Sequence, residues 1–215
     1  MKIFGFPLSP FVRKVLVATK EKGIDAELIP TNPAQPDEAF LQASPFRKIP
    51  AIEDGDFRLA DSTAIVTYLE AKQPEPALLP SAPQTRGKAV WFEEVVDTIL
   101  IPSAAPIVLN RFLRPLIFKM EGDEEAAKAA EEAILRPLDY LEDVLSTGGW
   151  LAGDYSIGDL SLACAIKTLS YPGWQIDRNR YPSLASWYDR VCERPAWRLA
   201  AEQERAIFAS LESSS

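Results

Sequence analysis

The sequence contains no histidine and only two cysteines, Cys164 and Cys192. The lack of histidine excludes Ser-His-Asp triads, Cys-His nucleophiles and most zinc sites, because each of these needs an imidazole. Two cysteines are too few for a disulfide framework, and their apolar, helix-like surroundings indicate core residues. Any chemistry must therefore use hydroxyls, carboxylates, cations or a substrate that brings its own reactive group, and no metal is expected.

Basic residues and long apolar runs are also scarce. The chain of 215 residues has 23 lysines and arginines against 31 acidic residues, a formal charge of −8. An acidic surface repels nucleic acid and anionic lipid, so neither is an expected partner. No apolar run is long enough to cross a bilayer, and the first residues resemble a strand rather than a signal peptide. We therefore expect a cytoplasmic protein.

One stretch near the N-terminus joins a strand to the start of a helix. Residues 2–6 alternate like a strand, Ser9 stands at the expected N-cap, and Pro10 takes the first helical position. The first N–H groups of a helix lack internal partners and carry the positive end of its dipole. A hydroxyl held there can meet an anion, although the same serine would serve equally as a simple cap.

The pattern of predicted elements divides the chain into two domains. Residues 2–72 follow the order β-α-β, then α, then β-β-α, which is typical of a small sheet layered with helices. Several prolines then indicate a linker, and the remainder is helical in pattern. The fold class is therefore α/β plus all-α. The predicted boundaries are 1–78 for the first domain, 79–85 for the linker and 86–215 for the helical domain.

Prolines and caps predict local features of the helical domain. Pro102 and Pro106 should kink or end the first long helix, and Pro137 should kink the second. Ser156 and Asp159 have the spacing of a capping box. Its role is structural, and removal of the Ser156 cap should cost about 1 kcal/mol.

Three motifs in the first domain carry a family resemblance. Residues Ser9 to Val15 follow the first strand, Ser44 to Pro50 precede the third, and Asp61-Ser62 caps the third helix. With the capping box and the segment Tyr181 to Trp187, their order resembles the cytosolic glutathione S-transferase superfamily over Met1 to about Trp197. The resemblance implies a thioredoxin-like N-terminal domain, an all-helical C-terminal domain and a homodimer.

The resemblance implies a catalytic role for Ser9, which matches the serine of classes such as theta, phi and tau. A free thiol has a pKa of about 8.5, and lowering it by about two units needs roughly 2.7 kcal/mol of preferential thiolate binding. One charge-assisted hydrogen bond supplies about 1.5–3 kcal/mol, and a helix N-terminus adds about 0.3–1 kcal/mol. No general base is therefore required.

The resemblance also implies the residues that bind glutathione, the cosubstrate. Ile49 would pair its backbone with the cysteinyl unit, and Pro50 would hold that turn through a cis peptide bond. Lys48 and Gln35 would meet the glycine carboxylate, although Lys48 as a solvated lysine is the alternative. In this loop the chain has Arg47 and Ser44 where many members have glycine and asparagine.

Two adjacent residues are implied to bind the γ-glutamyl unit. Ser62 would offer its hydroxyl and backbone N–H to the carboxylate at a helix start, and Asp61 would meet the ammonium group. As plain helix caps these residues would need no ligand. The second substrate would lie between the domains, against an apolar wall. Its candidate members are Phe6, Phe11, Phe112, Phe118 and Trp174.

These expectations describe a glutathione transferase in which the thiolate adds to, or substitutes at, an apolar electrophile. Three alternatives stay open. A thiol–disulfide oxidoreductase would normally need a cysteine at the Ser9 position. A non-catalytic protein binding glutathione or hydrophobic ligands has the same sequence features. A specialised glutathione-dependent isomerase, lyase or dehalogenase would share the site and differ in the second substrate.

Overall fold

The computed structural model describes residues 1–212, without the side chains of residues 206–212; the end of the predicted helical domain, 213–215, lies outside this range. The chain forms two compact units. Unit 1 contains Met1–Leu79 together with the described residues from Cys192 onward, and unit 2 contains Pro80–Val191. The segment after Cys192 thus groups with the N-terminal part of the chain, whereas the sequence placed it with the helical domain.

Unit 1 is built on a four-stranded sheet of order β2-β1-β3-β4. Strand β1 pairs with β2 in parallel, and the other two pairings are antiparallel. The element order confirms the predicted one. The elements are β1 (Lys2–Gly5), α1 (Pro10–Glu21), β2 (Glu27–Pro30), α2 (Glu38–Ala43), β3 (Ala51–Asp54), β4 (Phe57–Ala60), α3 (Ser62–Lys72) and, from the C-terminal segment, α10 (Pro195–Glu212).

The register brings the ends of the strands together. Phe4 of β1 lies opposite Ala51 of β3, and Ala51 lies opposite Ala60 of β4. Gly5 of β1 lies beside Pro30 of β2. Strands β1, β2 and β4 therefore end, and β3 begins, at the same end of the sheet. We call the end marked by these residues the ligand end.

Helices α1 and α3 both begin at the ligand end, because each follows a strand that ends there. A Cβ atom at Gly5 would lie 2.5 Å from Cγ2 of Val12, so glycine lets α1 approach β1 closely. The far ends of the two helices are joined by the ion pair of Lys22 and Glu70 at 2.6 Å, in which both residues are buried. The positive ends of two helix dipoles thus face the same end of the sheet.

Helix α2 covers a core cluster of the sheet. Phe40 packs with its ring centroid 6.2 Å from that of Phe4, and Ala43 and Ala51 complete the buried cluster. Ile49 packs partly buried against this cluster. The packing anchors the loop that enters β3, and this loop carries one of the predicted motifs.

Unit 2 is helical, and α8 forms its centre, with eleven buried residues. Helix α8 packs against α4 and α5, and α5 packs against α6. The elements are α4 (Pro83–Val95), α5 (Ile101–Val108), α6 (Glu124–Ala133), α7 (Leu135–Leu145), α8 (Ile157–Ser170) and α9 (Pro182–Glu193), with π-helical segments at Val96–Leu100 and Leu109–Ile117. Among residues 1–212, no helix is both long and apolar enough to cross a membrane.

Of the two outcomes predicted for Pro102 and Pro106, a kink or an end of the first long helix, the end does not occur. The chain stays helical through both prolines and passes through the π-helical turn Val96–Leu100 just before Pro102. Pro102 falls in the first turn of α5. A proline cannot donate an N–H, and its ring clashes with the carbonyl four residues earlier. The wider π turn accommodates this and keeps the helix continuous.

The predicted kink at Pro137 occurs earlier in the chain. The helical run divides at Ile134, between α6 and α7, and Pro137 lies in the first turn of α7. The N–H that proline lacks would have bonded the carbonyl of Ala133. Ala133 is the last residue of α6, so the helix divides directly after the carbonyl that has no N–H partner at Pro137.

The predicted capping box at the start of α8 is confirmed. The Ser156 hydroxyl accepts a hydrogen bond from the backbone N–H of Asp159, and the Asp159 carboxylate accepts one from the backbone N–H of Ser156. Asp159 is fully buried and also accepts hydrogen bonds from the backbone N–H of Leu151 at 3.0 Å and the indole N–H of Trp187 at 2.8 Å. The box therefore ties α8 to the preceding loop and to α9.

Candidate active site

Ser9 is the N-cap of α1, as predicted. Its backbone is extended (φ −69°, ψ 128°), and its N–H donates to the Phe6 carbonyl at 3.0 Å. The hydroxyl oxygen accepts from the Val12 N–H at 3.5 Å, a long hydrogen bond. This cap uses only an oxygen lone pair, so the hydroxyl keeps its hydrogen for donation to an anion. Capping and thiolate binding are therefore compatible roles of one side chain.

The loop before β3 is organised by Ser44. Its hydroxyl donates to the Lys48 carbonyl at 2.7 Å and accepts from the Lys48 N–H at 2.9 Å, while the Ser44 carbonyl accepts from the Arg47 N–H. Arg47 has φ 56°, a left-handed conformation that costs other residues roughly 1–2 kcal/mol more than glycine. This geometry explains why glycine suits position 47, and how Ser44 closes the loop without asparagine.

The predicted cis peptide bond between Ile49 and Pro50 is confirmed. Among residues 1–212, no group hydrogen-bonds to the Ile49 backbone N–H or carbonyl. Ile49 lies two residues before β3 begins at Ala51, at the ligand end. An extended peptide can therefore add to the sheet here through main-chain hydrogen bonds.

Of the predicted capping pair Asp61-Ser62, Asp61 is the N-cap of α3. One carboxylate oxygen of Asp61 accepts from the N–H groups of Thr63 at 2.9 Å and Ala64 at 3.1 Å. Ser62 is the first helical residue and is buried. The aspartate, which precedes the first helical residue, bonds two of the free N–H groups at the start of α3.

Asp61 also has an unusual backbone, with φ 82° and ψ 128°. Such conformations cost other residues about 1–3 kcal/mol and cluster at functional sites. Here the strain places the Asp61 carboxylate and the Ser62 N–H at the same helix start. The two N–H bonds use two of about four acceptor positions of the carboxylate, which leaves capacity for an ammonium group.

All the predicted glutathione-binding residues lie at the ligand end of unit 1. Gln35 lies in the loop between β2 and α2, and Lys48 lies in the loop before β3; both side chains are exposed. Asp61 and Ser62 follow β4, and Ser9 follows β1. The topology thus gathers residues from four loops around the starts of α1 and α3.

The candidate second-substrate residues are divided between the units. Phe6 and Phe11 are half-buried in unit 1. In unit 2, Phe112 is buried and stacks on Tyr171 with ring centroids 5.3 Å apart, which is a core position. Phe118 is exposed, and Trp174 lines a depression of about 200 Å³.

Comparison with known proteins agrees with this geometry. Residues 3–77 match the model described as glutathione S-transferase, N-terminal domain, and residues 99–195 match glutathione S-transferase, C-terminal domain. A glutathione S-transferase of Hyoscyamus muticus is 31% identical over 95% of this chain and 99% of its own length. Glutathione S-transferase 3 of Zea mays is 33% identical over 92% and 91%.

A solved structure shows the same fold. The glutathione S-transferase of Rhodospirillum rubrum F11 superposes with a TM-score of 0.85 at 28% identity, covering 93% of this chain and 90% of that one. Fold, motif positions and similarity over nearly the whole chain agree. The chain belongs to the glutathione S-transferase family, with a thioredoxin-like N-terminal domain and a helical C-terminal domain.

Two features of the site were missed by sequence reasoning. Ser44 looked like a departure from the family pattern, and its reciprocal bonds to Lys48 appear only once the loop is folded. The helix α10 was also missed as a separate element within the part of the chain predicted to be helical. A proline followed by strong helix formers was the available signal for a new helix start at that residue.

Proposed function

We propose that this protein is a glutathione transferase. Glutathione binds at the ligand end of unit 1, and the Ser9 hydroxyl donates a hydrogen bond that favours the thiolate. The thiolate sulfur then forms a bond to an electrophilic carbon, and either a leaving group departs or the adduct takes up a proton. The observation that carries the proposal is the Ser9 hydroxyl at the start of α1, with its hydrogen available for donation.

The glutathione contacts follow from the chemistry of each position. The Ser62 hydroxyl and N–H meet the γ-glutamyl carboxylate at the positive end of α3, and Asp61 meets the ammonium group. The unpaired Ile49 backbone meets the cysteinyl unit as an added strand does, with Pro50 shaping the turn. Lys48 and Gln35, both exposed, meet the glycine carboxylate. Every charged group of the tripeptide thus has a partner of opposite charge or a helix dipole.

The second substrate is a small apolar electrophile. Phe6 and Phe11, which are half-buried on either side of Ser9 in unit 1, supply apolar surface for it. We further propose a cytoplasmic location and a role in detoxification, since the substrate pair and the reduced cysteines both suit a reducing compartment.

Binding and turnover together test the proposal. The chain should be retained on immobilised glutathione, be released by free glutathione, and form thioethers with a panel of electrophiles that includes aryl halides, enals and isothiocyanates. Retention without turnover on any panel member would favour a non-catalytic binding protein. Turnover confined to isomerisation, ether cleavage or dehalogenation would identify a specialised enzyme at the same site.

We also propose that the protein is a homodimer. Phe46, in the loop before β3, is 87% exposed, which is unusual for a large aromatic side chain. Unit 2 carries a cavity of about 700 Å³ whose aromatic lining includes Trp91, Tyr140 and Trp150. The Trp91 side chain there is 54% exposed. Insertion of Phe46 of one copy into this cavity of another copy would bury both apolar surfaces, once in each direction.

Replacement of Phe46 by alanine should weaken this dimer. Central aromatic residues of interfaces cost about 2–4 kcal/mol when truncated, so the dissociation constant should rise roughly 30-fold or more. Sedimentation equilibrium at micromolar concentrations measures it. Leu199→Ala removes another exposed apolar side chain from α10 and is the matched control, which should keep the dimer. A monomeric wild-type protein would contradict the proposal.

A further inference from the structure

Arg13 holds the turn that carries Ser9. The Arg13 backbone N–H donates to the Ser9 carbonyl at 3.0 Å, and its guanidinium donates to the Pro7 carbonyl at 3.4 Å. The turn is closed by the Ser9 N–H bonding the Phe6 carbonyl at 3.0 Å. Arg13 therefore contacts the carbonyl of Ser9 itself and the carbonyl of Pro7, two residues before Ser9.

The guanidinium of Arg13 is in turn held by α10. It forms a hydrogen-bonded ion pair with Glu204 and lies 5.8 Å from the ring centroid of Trp197. Arg13 is 2% exposed and Glu204 is 4% exposed. An ion pair in such a dry setting is strongly directional, because neither charge has water to replace its partner.

We propose that Arg13 is a positioning residue for Ser9 and that Glu204 sets its position, so that helix α10 controls the geometry of the catalytic hydroxyl. This inference rests on the proposed function of Ser9. Glu204 holds the Arg13 guanidinium, and the guanidinium holds the Pro7 carbonyl. The Pro7 carbonyl lies two residues before Ser9 in the backbone, so its position affects that of the Ser9 side chain. None of these groups except Ser9 touches the reacting sulfur.

Arg13 can affect turnover because the hydrogen bond from Ser9 to the thiolate depends strongly on distance and direction. A hydroxyl favours a thiolate only when its hydrogen points at the sulfur at a short distance, and small misplacements of reacting groups reduce rates up to about 100-fold. A buried guanidinium that loses Glu204 will turn toward another acceptor or toward water. The Pro7 carbonyl then loses its donor, and the turn relaxes at the position that the chemistry uses.

A second ion pair on the same helix provides a matched control. Glu21, at the far end of α1, accepts from the Arg194 guanidinium at 2.6 and 2.9 Å. This pair also joins α1 to the C-terminal segment, just before α10 begins at Pro195. Breaking it loosens the same attachment without touching the Ser9 turn.

The experiment compares Glu204→Gln with Glu21→Gln, and with Ser9→Ala as the reference. The measured quantities are the pKa of the glutathione thiol in the binary complex, from thiolate absorbance against pH, and kcat and KM with one electrophile. Glu204→Gln should raise the pKa of the bound thiol and lower kcat about tenfold, with KM for glutathione within about twofold of wild type. Glu21→Gln should change neither, although its melting temperature falls.

The outcomes separate this inference from the proposed function. A wild-type thiol pKa and wild-type kcat in a folded Glu204→Gln protein overturn the inference. If Ser9→Ala also leaves the thiol pKa unchanged, the proposed function fails first. Should Glu204→Gln not fold, Arg13→Lys carries the same test, because it keeps the charge opposite Glu204 but cannot hold both acceptors as a guanidinium does. Recovery by Glu204→Asp would support the inference.

Discussion

Replacing Ser9 by alanine is expected to lower turnover at least tenfold while the chain stays folded. The substitution removes one charge-assisted hydrogen bond to the thiolate, worth about 1.5–3 kcal/mol, which corresponds to roughly 10- to 150-fold in rate. The pKa of bound glutathione should rise toward the value of the free thiol, about 8.5. The loss should therefore be largest near neutral pH and shrink as the pH approaches that value.

Stability measurements separate the catalytic role of Ser9 from its capping role. The cap bond to Val12 is long, at 3.5 Å, so we expect a loss near the lower end of the usual range of about 0.5–2 kcal/mol. Ser156→Ala removes a cap from α8 in unit 2 and should leave turnover unchanged. Ser9→Thr keeps a hydroxyl and should retain more activity than alanine. Wild-type turnover and wild-type thiol acidity in Ser9→Ala would contradict the mechanism.

Replacing Asp159 by alanine is expected to lower the free energy of unfolding by about 3–5 kcal/mol. The carboxylate accepts from Leu151 N–H, Trp187 Nε1–H, and the backbone and hydroxyl of Ser156, all in a buried setting. Without it, at least two buried donors lose their partners, at about 1–3 kcal/mol each. Ser156→Ala should cost only about 1 kcal/mol. Urea unfolding of the two variants measures the difference, and equal losses would contradict this account.

The stability that Asp159 contributes should depend on pH. Burial raises the pKa of Asp159, against the opposing effect of its hydrogen-bond donors. Between the pKa of an aspartate in the unfolded chain, about 3.9, and the raised pKa in the folded protein, the folded state binds more protons than the unfolded state. The stability that Asp159 contributes is therefore fully present below the unfolded pKa and falls as the pH rises toward the folded pKa. The destabilisation caused by Asp159→Ala should accordingly be larger near pH 4 than near pH 7. Urea unfolding at both pH values checks this.

The features predicted correctly from the sequence are those encoded by neighbouring residues. Strand and helix order in unit 1 follows from local periodicity, and the Ser9 cap and the Ser156–Asp159 box depend on residues three positions apart. The cis bond before Pro50 came from the family resemblance, which depends on motif order along the chain. Such short-range features need no knowledge of packing, because the groups that make them are already close in the unfolded chain.

Junctions between elements were predicted less well. The sequence offered Asp61 and Ser62 together as the cap of α3, and the structure selects Asp61, where the chain leaves β4 with φ 82°. The prolines of α5 did not end the helix, and at Pro102 the preceding π turn accommodates the missing N–H. Propensities describe single residues, whereas both outcomes depend on how a whole segment is packed.

The amino-acid sequence alone indicates the family, the order of the elements and Ser9 as the candidate reactive hydroxyl. The folded chain adds which residues lie around that hydroxyl. The sheet register brought four loops to one end, and α10 brought Glu204 to Arg13 across 191 positions of sequence. Contacts at such separation arise from burial of whole helices, and no local pattern of residues specifies them.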